Sequence, residues 1–259
     1  MDDATGNETA EQLEHSHTPA AIRSRRGARM RHSYLSDFIY GGIDGAVTTF
    51  AVVSGVAGAG LDSTVIVILG TANLVGDGFS MAAANFLGVR ADKQQREKAR
   101  EIEHREIELH PEGEREEIRQ IFAAKGIEGD TLESVVETIT ADRDRWVGVM
   151  LTEEHGLSRE TRSGVRAALS TLTAFILVGA IPLLPFAAEL FGIESPRRYL
   201  VSSVLVAIAF FGVGALKCRF VAQRWWIGGI ETLAVGGLAA ALAFTMGWAI
   251  GQIAPGAGA

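Results

Sequence analysis

The sequence predicts an all-α membrane protein with five transmembrane helices and a three-helix cytoplasmic domain inserted between the second and third spans. Its average composition, 47% hydrophobic and 21% charged over 259 residues, would also suit a soluble protein. The two classes are, however, segregated along the chain. A helix needs about 20 apolar residues to cross a bilayer, and five stretches meet this length: residues 38–61, 64–89, 167–188, 199–216 and 225–250.

The remaining residues are too few and too charged to cover five apolar helices inside a soluble protein. No apolar segment of a cleavable signal peptide is visible at the start, and the polarity there indicates disorder. We therefore divide the chain into five parts: a disordered cytoplasmic N-terminal tail (1–32), spans one and two (33–89), a Glu-rich cytoplasmic domain (90–166), spans three to five (167–252) and a short non-cytoplasmic tail (253–259).

The orientation follows from the Lys and Arg residues beside the spans, which collect on the cytoplasmic side. One side has only Arg197 and Arg198. The other has many more: Arg23, Arg25, Arg26, Arg29, Arg31, Arg90, Lys93, Arg96, Arg159, Arg162, Arg166, Lys217, Arg219 and Arg224. The N-terminus and the Glu-rich domain should therefore be cytoplasmic, and the C-terminus should lie on the opposite face.

Charge and cysteine content limit the partners, covalent links and metal sites that this chain can have. The formal charge of −7 argues against nucleic acid as a partner, because a phosphate backbone calls for a basic surface. The single cysteine, Cys218, excludes a disulfide framework and a thiolate metal cluster.

The inserted segment reads as three helices. No residue that would end a helix occurs between the second span and Pro111. We therefore expect the helix of this span to continue far beyond the membrane. Proline is tolerated at a first helical position, and a second helix should run from Pro111 to Gly126. Asp130 and Glu133 have the spacing of a capping box, which predicts a third helix that ends near Gly156.

Nine glutamates lie within residues 97–117. Glu103 and Glu106 share a helix face, and Glu114 and Glu117 repeat the spacing beyond the turn, so an antiparallel pair would bring four carboxylates together. Like charges repel unless a cation lies between them, and such ligands suit Fe(II) or Mn(II) and can hold Zn(II). A plain acidic surface with i,i+4 ion pairs is the alternative, and spacing leaves both open.

Polar side chains inside the spans are functional candidates, because they are expensive in lipid. Asp44 lies about 9 Å from the cytoplasmic end of the first span, and Met81 about 12 Å deep on the antiparallel second span, at 1.5 Å per residue. This carboxylate and thioether would suit a borderline-soft divalent ion, although ordinary packing is the usual role of Met. Met81 belongs to a polar stripe with Asn73, Asp77 and Asn85.

Several strings resemble the vacuolar iron transporter family. The most specific are DFIYGGIDGAVTTFAVVSGVAGAG and ILGTANLVGDGFSMAAANFLG, in the first two spans. Others are EEHGL, AIPLLPF, GALKCRF and WWIGGIETLAVGGLAAALAF. The resemblance covers about residues 33–252, and therefore almost everything beyond the N-terminal tail.

This resemblance implies a five-helix homodimer in the lipid bilayer, with a pathway between the subunits that takes Fe(II), and often Mn(II), out of the cytosol in exchange for protons. Asp44 and Met81 match the residues that line the pathway. The family's metal-binding domain matches six positions: Glu103, Glu106, Glu114, Glu117, Met150 and Glu154. Glu153 is the alternative to its neighbour Glu154. His104 and His155 lie beside matched positions but outside the family pattern.

We therefore expect a transporter and not an enzyme, with no permanently bound cofactor. Its substrate would be Fe(II) or Mn(II), with Zn(II) or Co(II) binding in vitro. A bacterial cytoplasmic membrane is the expected location, or a vacuolar membrane in a eukaryote. One alternative is a membrane-anchored di-iron oxidase of ferritin type, since Glu101 and His104 form one Glu-x-x-His element, although such bundles need two. Another is a metal-sensing membrane protein without transport.

Overall fold

The structure is a computed structural model that describes residues 18–157, 162–193, 195–219 and 221–253, with the backbone alone for 23–33. The predictions for the first 17 residues, for the tail after residue 253 and for Arg159 lie outside these residues. The five basic side chains before the first span, which contribute to the predicted orientation, are not described either.

All the regular secondary structure of the described residues is helical. In chain order the α-helices are α1 (Pro19–Gly58), α2 (Ser63–Leu109), α3 (Pro111–Ala124), α4 (Gly129–Thr140), α5 (Arg143–Glu153), α6 (Gly164–Gly179), α7 (Leu184–Glu189), α8 (Arg198–Lys217) and α9 (Trp225–Ile253).

Among the described residues, five helical segments are long and apolar enough to cross a membrane: Tyr34–Gly58, Ser63–Leu109, Gly164–Glu189, Arg198–Lys217 and Trp225–Ile253. The five predicted spans are therefore confirmed as helices of the required length and composition. The second of these segments is the 47-residue helix α2. It continues without a break to the residue before His110, as the sequence predicted.

Helix α1 begins earlier than the composition indicated. Residues 19–32, which we expected to be disordered, are helical. The local reason is a cap, because the Thr18 side chain accepts a hydrogen bond from the backbone N–H of Ala21 (3.3 Å) and Pro19 occupies the first helical position. At the other end of α1, a short turn leads to α2, and it depends on Gly60, whose φ of +70° disfavours other residues.

Two glycines of α1 allow a close approach of α6. A Cβ built on Gly41 would lie 2.6 Å from the carbonyl oxygen of Thr171, and one on Gly45 would lie 2.5 Å from that of Phe175. Only glycine leaves room for backbones at this separation. Phe175 is fully buried and belongs to an apolar cluster that also includes Val53 of α1 and Leu74 of α2.

The third span is interrupted at Pro182 and Pro185, because proline disfavours a continuous helix. Helix α6 ends at Gly179, a 3₁₀ turn follows at Ile181–Leu183, and α7 then begins. The hydroxyl of Ser202 on α8 donates to the carbonyl oxygen of Pro182 (2.7 Å). This bond satisfies one of the carbonyls at the break.

Residues 86–164 form a compact unit of their own, called the inserted domain below, and the rest of the chain forms the membrane unit. The prediction of a single third helix in this domain is wrong. Helix α4 ends at Thr140 and α5 begins at Arg143, because Asp142 caps the new helix by accepting from the backbone N–H of Arg145 (2.7 Å). The described residues of the domain therefore form three helices after α2.

The predicted capping box is also wrong. The N-cap residue of α4 is Glu128, which makes no side-chain hydrogen bond, and Asp130 lies inside the first turn. Gly129, with a φ of +60°, sets the start of the helix instead. An acidic residue in the first turn still stabilises the helix through its dipole.

The core of the inserted domain is apolar. Its most deeply buried members come from α3, α4 and α5: Ile118, Val136, Trp146, Val147, Met150 and Leu151. This packing fixes α3 and α5 against each other, so the polar side chains that these helices carry are held in defined positions.

Candidate metal centre

Two glutamates of the inserted domain are buried. The Glu103 residue on α2 is 1% exposed, and Glu114 on α3 is 6% exposed. One carboxylate oxygen of each, Oε2, is shielded from solvent without any hydrogen-bond partner among the described residues. A buried, unpartnered oxygen is costly. Two of them near each other indicate that these carboxylates are arranged to receive a cation or a proton.

The electrostatics show that further carboxylates surround this pair. The pKa of Glu114 is raised to about 7, first by burial and then by repulsion from four other carboxylates: Glu117, Glu103, Glu106 and Glu154. Burial also raises the pKa of Glu117, with Glu154 and Glu106 adding to the effect. We call these five residues the carboxylate cluster. A divalent cation would relieve the repulsion within it.

Glu154 and Glu153 have different surroundings, although they are neighbours in the sequence. Glu153 forms an ion pair with Lys125. Glu154 is exposed, and its carboxylate is near those of Glu114 and Glu117. The geometry therefore favours Glu154 as the member of the cluster. Met150 is fully buried in the apolar core one helical turn earlier, and its role as a sulfur ligand stays a prediction.

His155 also joins the carboxylates. Its Nε2 atom lies 2.7 Å from Oε1 of Glu103, and this hydrogen bond holds the pKa of His155 above its ordinary value. Ligand atoms of Glu103, Glu154 and His155 all lie within 4.8 Å of one another. His104 lies elsewhere, where its ring accepts a hydrogen bond from Arg100 (3.4 Å). Both histidines stayed open in the sequence, because they lie beside matched positions but outside the family pattern.

In the membrane unit, the residues of the polar stripe on α2 have different partners and do not form one common site. Asn73 donates to the hydroxyl of Thr48 (3.3 Å), and Asn85 donates to Asp37 (3.1 Å) and to Thr171 (2.8 Å). These amides therefore join neighbouring spans. Asp37, which sequence analysis did not single out, is 9% exposed, and its burial beside an amide was not visible in the sequence.

The other members of the stripe have different surroundings. Met81 packs against an apolar cluster that includes Phe175. Asp44 is half-buried, and the nearest acidic group that influences it is Asp77, which is exposed in the single chain. An exposed carboxylate within an apolar span is unusual. That Asp44 and Met81 bind metal stays a prediction.

Five spans together with a partly buried acidic cluster define an integral membrane protein of the kind that handles cations. The family model described as "VIT family" matches residues 35–248. The chain belongs to this family, whose members are transporters and not enzymes, and the resemblance found in the sequence is thereby confirmed.

Curated relatives agree with this assignment. The chain is 31% identical over 222 residues to vacuolar iron transporter 1 of Oryza sativa subsp. japonica, covering 83% of this chain and 85% of that protein. It is 32% identical over 216 residues to the vacuolar iron transporter of Centaurea cyanus, covering 82% and 86%. The vacuolar iron transporter of Toxoplasma gondii is 31% identical over 198 residues, covering 74% and 66%.

Proposed function

We propose that this protein moves divalent transition metal, Fe(II) and also Mn(II), out of the cytosol in exchange for protons. The observation that carries the proposal is the pair of buried glutamates with unpartnered oxygens, Glu103 and Glu114, inside a larger carboxylate cluster. Oxygen ligands of this kind suit Fe(II) and Mn(II). The relatives named vacuolar iron transporters favour iron as the substrate.

In this proposal the inserted domain is cytoplasmic and collects metal ions at six ligands: Glu103, Glu106, Glu114, Glu117, Met150 and Glu154. The ions then pass to Asp44 and Met81 within the spans. A carboxylate binds metal in its deprotonated form. Asp44 therefore gives up a proton when the ion arrives and takes one back after the ion leaves, which couples the two movements.

A homodimer would explain the surroundings of Asp77. This side chain is exposed on α2, and nothing within the described residues lies within 4 Å of a Cβ built on the adjacent Gly76. Lipid does not accommodate a carboxylate at this position. A second copy covering this part of α2 would shield Asp77 and place the pathway between the subunits. The expected location is a bacterial cytoplasmic membrane, or a vacuolar membrane in a eukaryote.

Metal flux into proteoliposomes tests this function. Wild-type protein should move Fe(II) and Mn(II), and a pH-sensitive dye should report protons moving the opposite way. Asp44→Asn should abolish flux without changing the oligomeric state in native mass spectrometry. Asp62→Asn is the matched control, because that carboxylate lies in the turn after α1 and caps the backbone N–H of Thr64 (2.7 Å). Flux in Asp44→Asn equal to wild type would contradict the proposal.

The di-iron oxidase receives less support. It requires Glu101 and His104 to act as one ligand pair, but Glu101 is exposed and the ring of His104 is bonded to Arg100. Oxygen consumption during Fe(II) addition to the purified protein would revive it. A sensor without transport would show metal binding but no flux in the same liposomes.

A further inference from the structure

The turn after α5 gives His155 a defined position. The backbone N–H of His155 donates to the carbonyl oxygen of Met150 (3.3 Å), and that of Leu157 donates to Leu151 (2.8 Å). Gly156 between them has a φ of +65°, a conformation in which glycine is favoured. This closure of the helix holds Glu154 and His155 next to each other beside α2, within the inserted domain.

The position of His155 is suited to a ligand. Its side chain is 32% exposed, so an ion can reach it from solvent, whereas the Glu103 carboxylate that it contacts is almost fully buried. That carboxylate uses one oxygen for His155, and its other oxygen has no hydrogen-bond partner in the part of the chain that the structure describes. The unpartnered oxygen is an independent sign that this carboxylate can bind a cation, because most buried side-chain polar atoms have at least one partner.

We propose that Glu103, Glu154 and His155 form a mixed carboxylate–imidazole metal subsite, and that the imidazole makes this protein favour Fe(II), Co(II) and Zn(II) over Mn(II). The inference rests on the proposed function, since it describes one part of the same metal-collecting cluster. It adds a nitrogen ligand to a set that otherwise contains oxygen and sulfur.

The distances allow one ion to bind all three side chains. Metal–ligand bonds of about 2.0–2.2 Å place two ligands of the same ion about 3–4.4 Å apart. The Nε2 atom of His155 and Oε1 of Glu103, at 2.7 Å, need to separate by only a few tenths of an ångström. The exposed side chain of Glu154 can rotate to close the remaining distance.

The imidazole changes metal selectivity, because oxygen and nitrogen ligands favour different metal ions. Carboxylate oxygens suit Mn(II) and Mg(II), whereas imidazole suits Zn(II), Fe(II) and their neighbours in the first row. Affinity for a nitrogen-containing site also rises along the first-row series from Mn(II) to Fe(II) and Co(II). Removing the nitrogen should therefore weaken Co(II) binding much more than Mn(II) binding.

Calorimetric titration of the full-length protein in detergent with Co(II) and with Mn(II) tests this selectivity. His155→Leu should lower Co(II) affinity at least 10-fold, since even loss of an outer-shell partner costs about 10–100-fold. Mn(II) affinity should change less than about 3-fold. His104→Leu is the matched control, because it removes an imidazole from the same domain, and both affinities should stay at the wild-type values.

A spectroscopic measurement keeps the proposal testable if His155→Leu folds poorly. The proton NMR spectrum of the Co(II)-loaded wild-type protein should contain a strongly shifted imidazole N–H signal that disappears in D₂O. His104→Leu should retain this signal. Its absence from the wild type, its loss in His104→Leu, or equal losses of Co(II) and Mn(II) affinity in His155→Leu would overturn the inference.

Failure of this inference is distinguishable from failure of the proposed function. If the wild type binds Co(II) through His155 but shows no flux in liposomes, the transport function fails and the subsite stands. If flux and binding are normal and His155→Leu binds both metals as tightly as the wild type, only the subsite fails. If the wild type binds neither metal in solution, the inference fails together with the role of the inserted domain.

Discussion

Glu114→Gln should stabilise the metal-free inserted domain while weakening its binding of metal. The Glu114 carboxyl is buried on α3 and repelled by four other carboxylates, so its pKa rises from an ordinary 4.5 to about 7. Glutamine keeps the shape and removes the charge. Without metal, the charged native cluster therefore destabilises α3. Such a loss of stability is common at functional sites.

The size of the effect follows from the pKa. At about 1.4 kcal/mol per pH unit, a rise from 4.5 to about 7 corresponds to at most about 3.5 kcal/mol. Solvent around the exposed neighbouring carboxylates screens the repulsion and reduces this free energy. We therefore expect Glu114→Gln to stabilise the domain by about 1–2 kcal/mol at pH 8. A carboxyl whose folded-state pKa is raised loses stability as pH rises from its unfolded value towards the folded one. The gain from Glu114→Gln should therefore be present at pH 8 and absent at pH 4.

Hydrogen–deuterium exchange of the full-length protein in detergent measures this gain. Peptides from α3 should exchange about 5–30-fold more slowly in Glu114→Gln at pH 8, after correction for the intrinsic exchange rate. Mn(II) should slow these peptides in the wild type and have little effect in the variant. Faster exchange in the variant at pH 8, or a difference that is the same at both pH values, would refute the electrostatic argument.

Three further substitutions test other parts of the structure. Gly156→Ala should destabilise the inserted domain by about 1 kcal/mol, because a Cβ is unfavourable at positive φ; exchange of α5 peptides measures this, and unchanged exchange would contradict it. Gly45→Ala should lower the thermal unfolding temperature, because its Cβ would lie 2.5 Å from a carbonyl oxygen of α6; Gly237→Ala, which meets no described atom within 4 Å, is the control and should change it little. Lys125→Ala frees Glu153 from its ion pair and should change Mn(II) affinity less than about 2-fold in titration calorimetry, whereas a large increase would indicate that Glu153 is a ligand.

Much of the fold could be predicted from local patterns. The spans follow from apolar length alone, and the break near Pro182 follows from the missing N–H of proline. The division of the inserted domain after Thr140 was missed because it depends on one cap, at Asp142, inside a continuous apolar pattern. The helical start at Pro19 was missed because its polar composition resembles that of disordered segments.

The residue types of the candidate metal centre could be predicted from the sequence better than their arrangement in space. The spacing of Glu103 and Glu106 indicated a shared face. Burial of Glu103, by contrast, depends on packing between helices that are distant in the sequence. His155 could not be assigned from spacing, because its direction is set by the turn at Gly156 and not by helical periodicity.

The sequence by itself determined the class of protein. The thickness of a bilayer sets the length of an apolar spanning helix, and each sequence motif that resembles the family is a continuous stretch of residues. The sequence also determined which residue types are available as ligands. Only the tertiary structure decided which of them meet: Glu154 and His155 beside Glu103, with Glu153 and His104 bonded elsewhere. The physical reason is that neighbouring side chains point in different directions, and the end of α5 together with the turn at Gly156 selects between them.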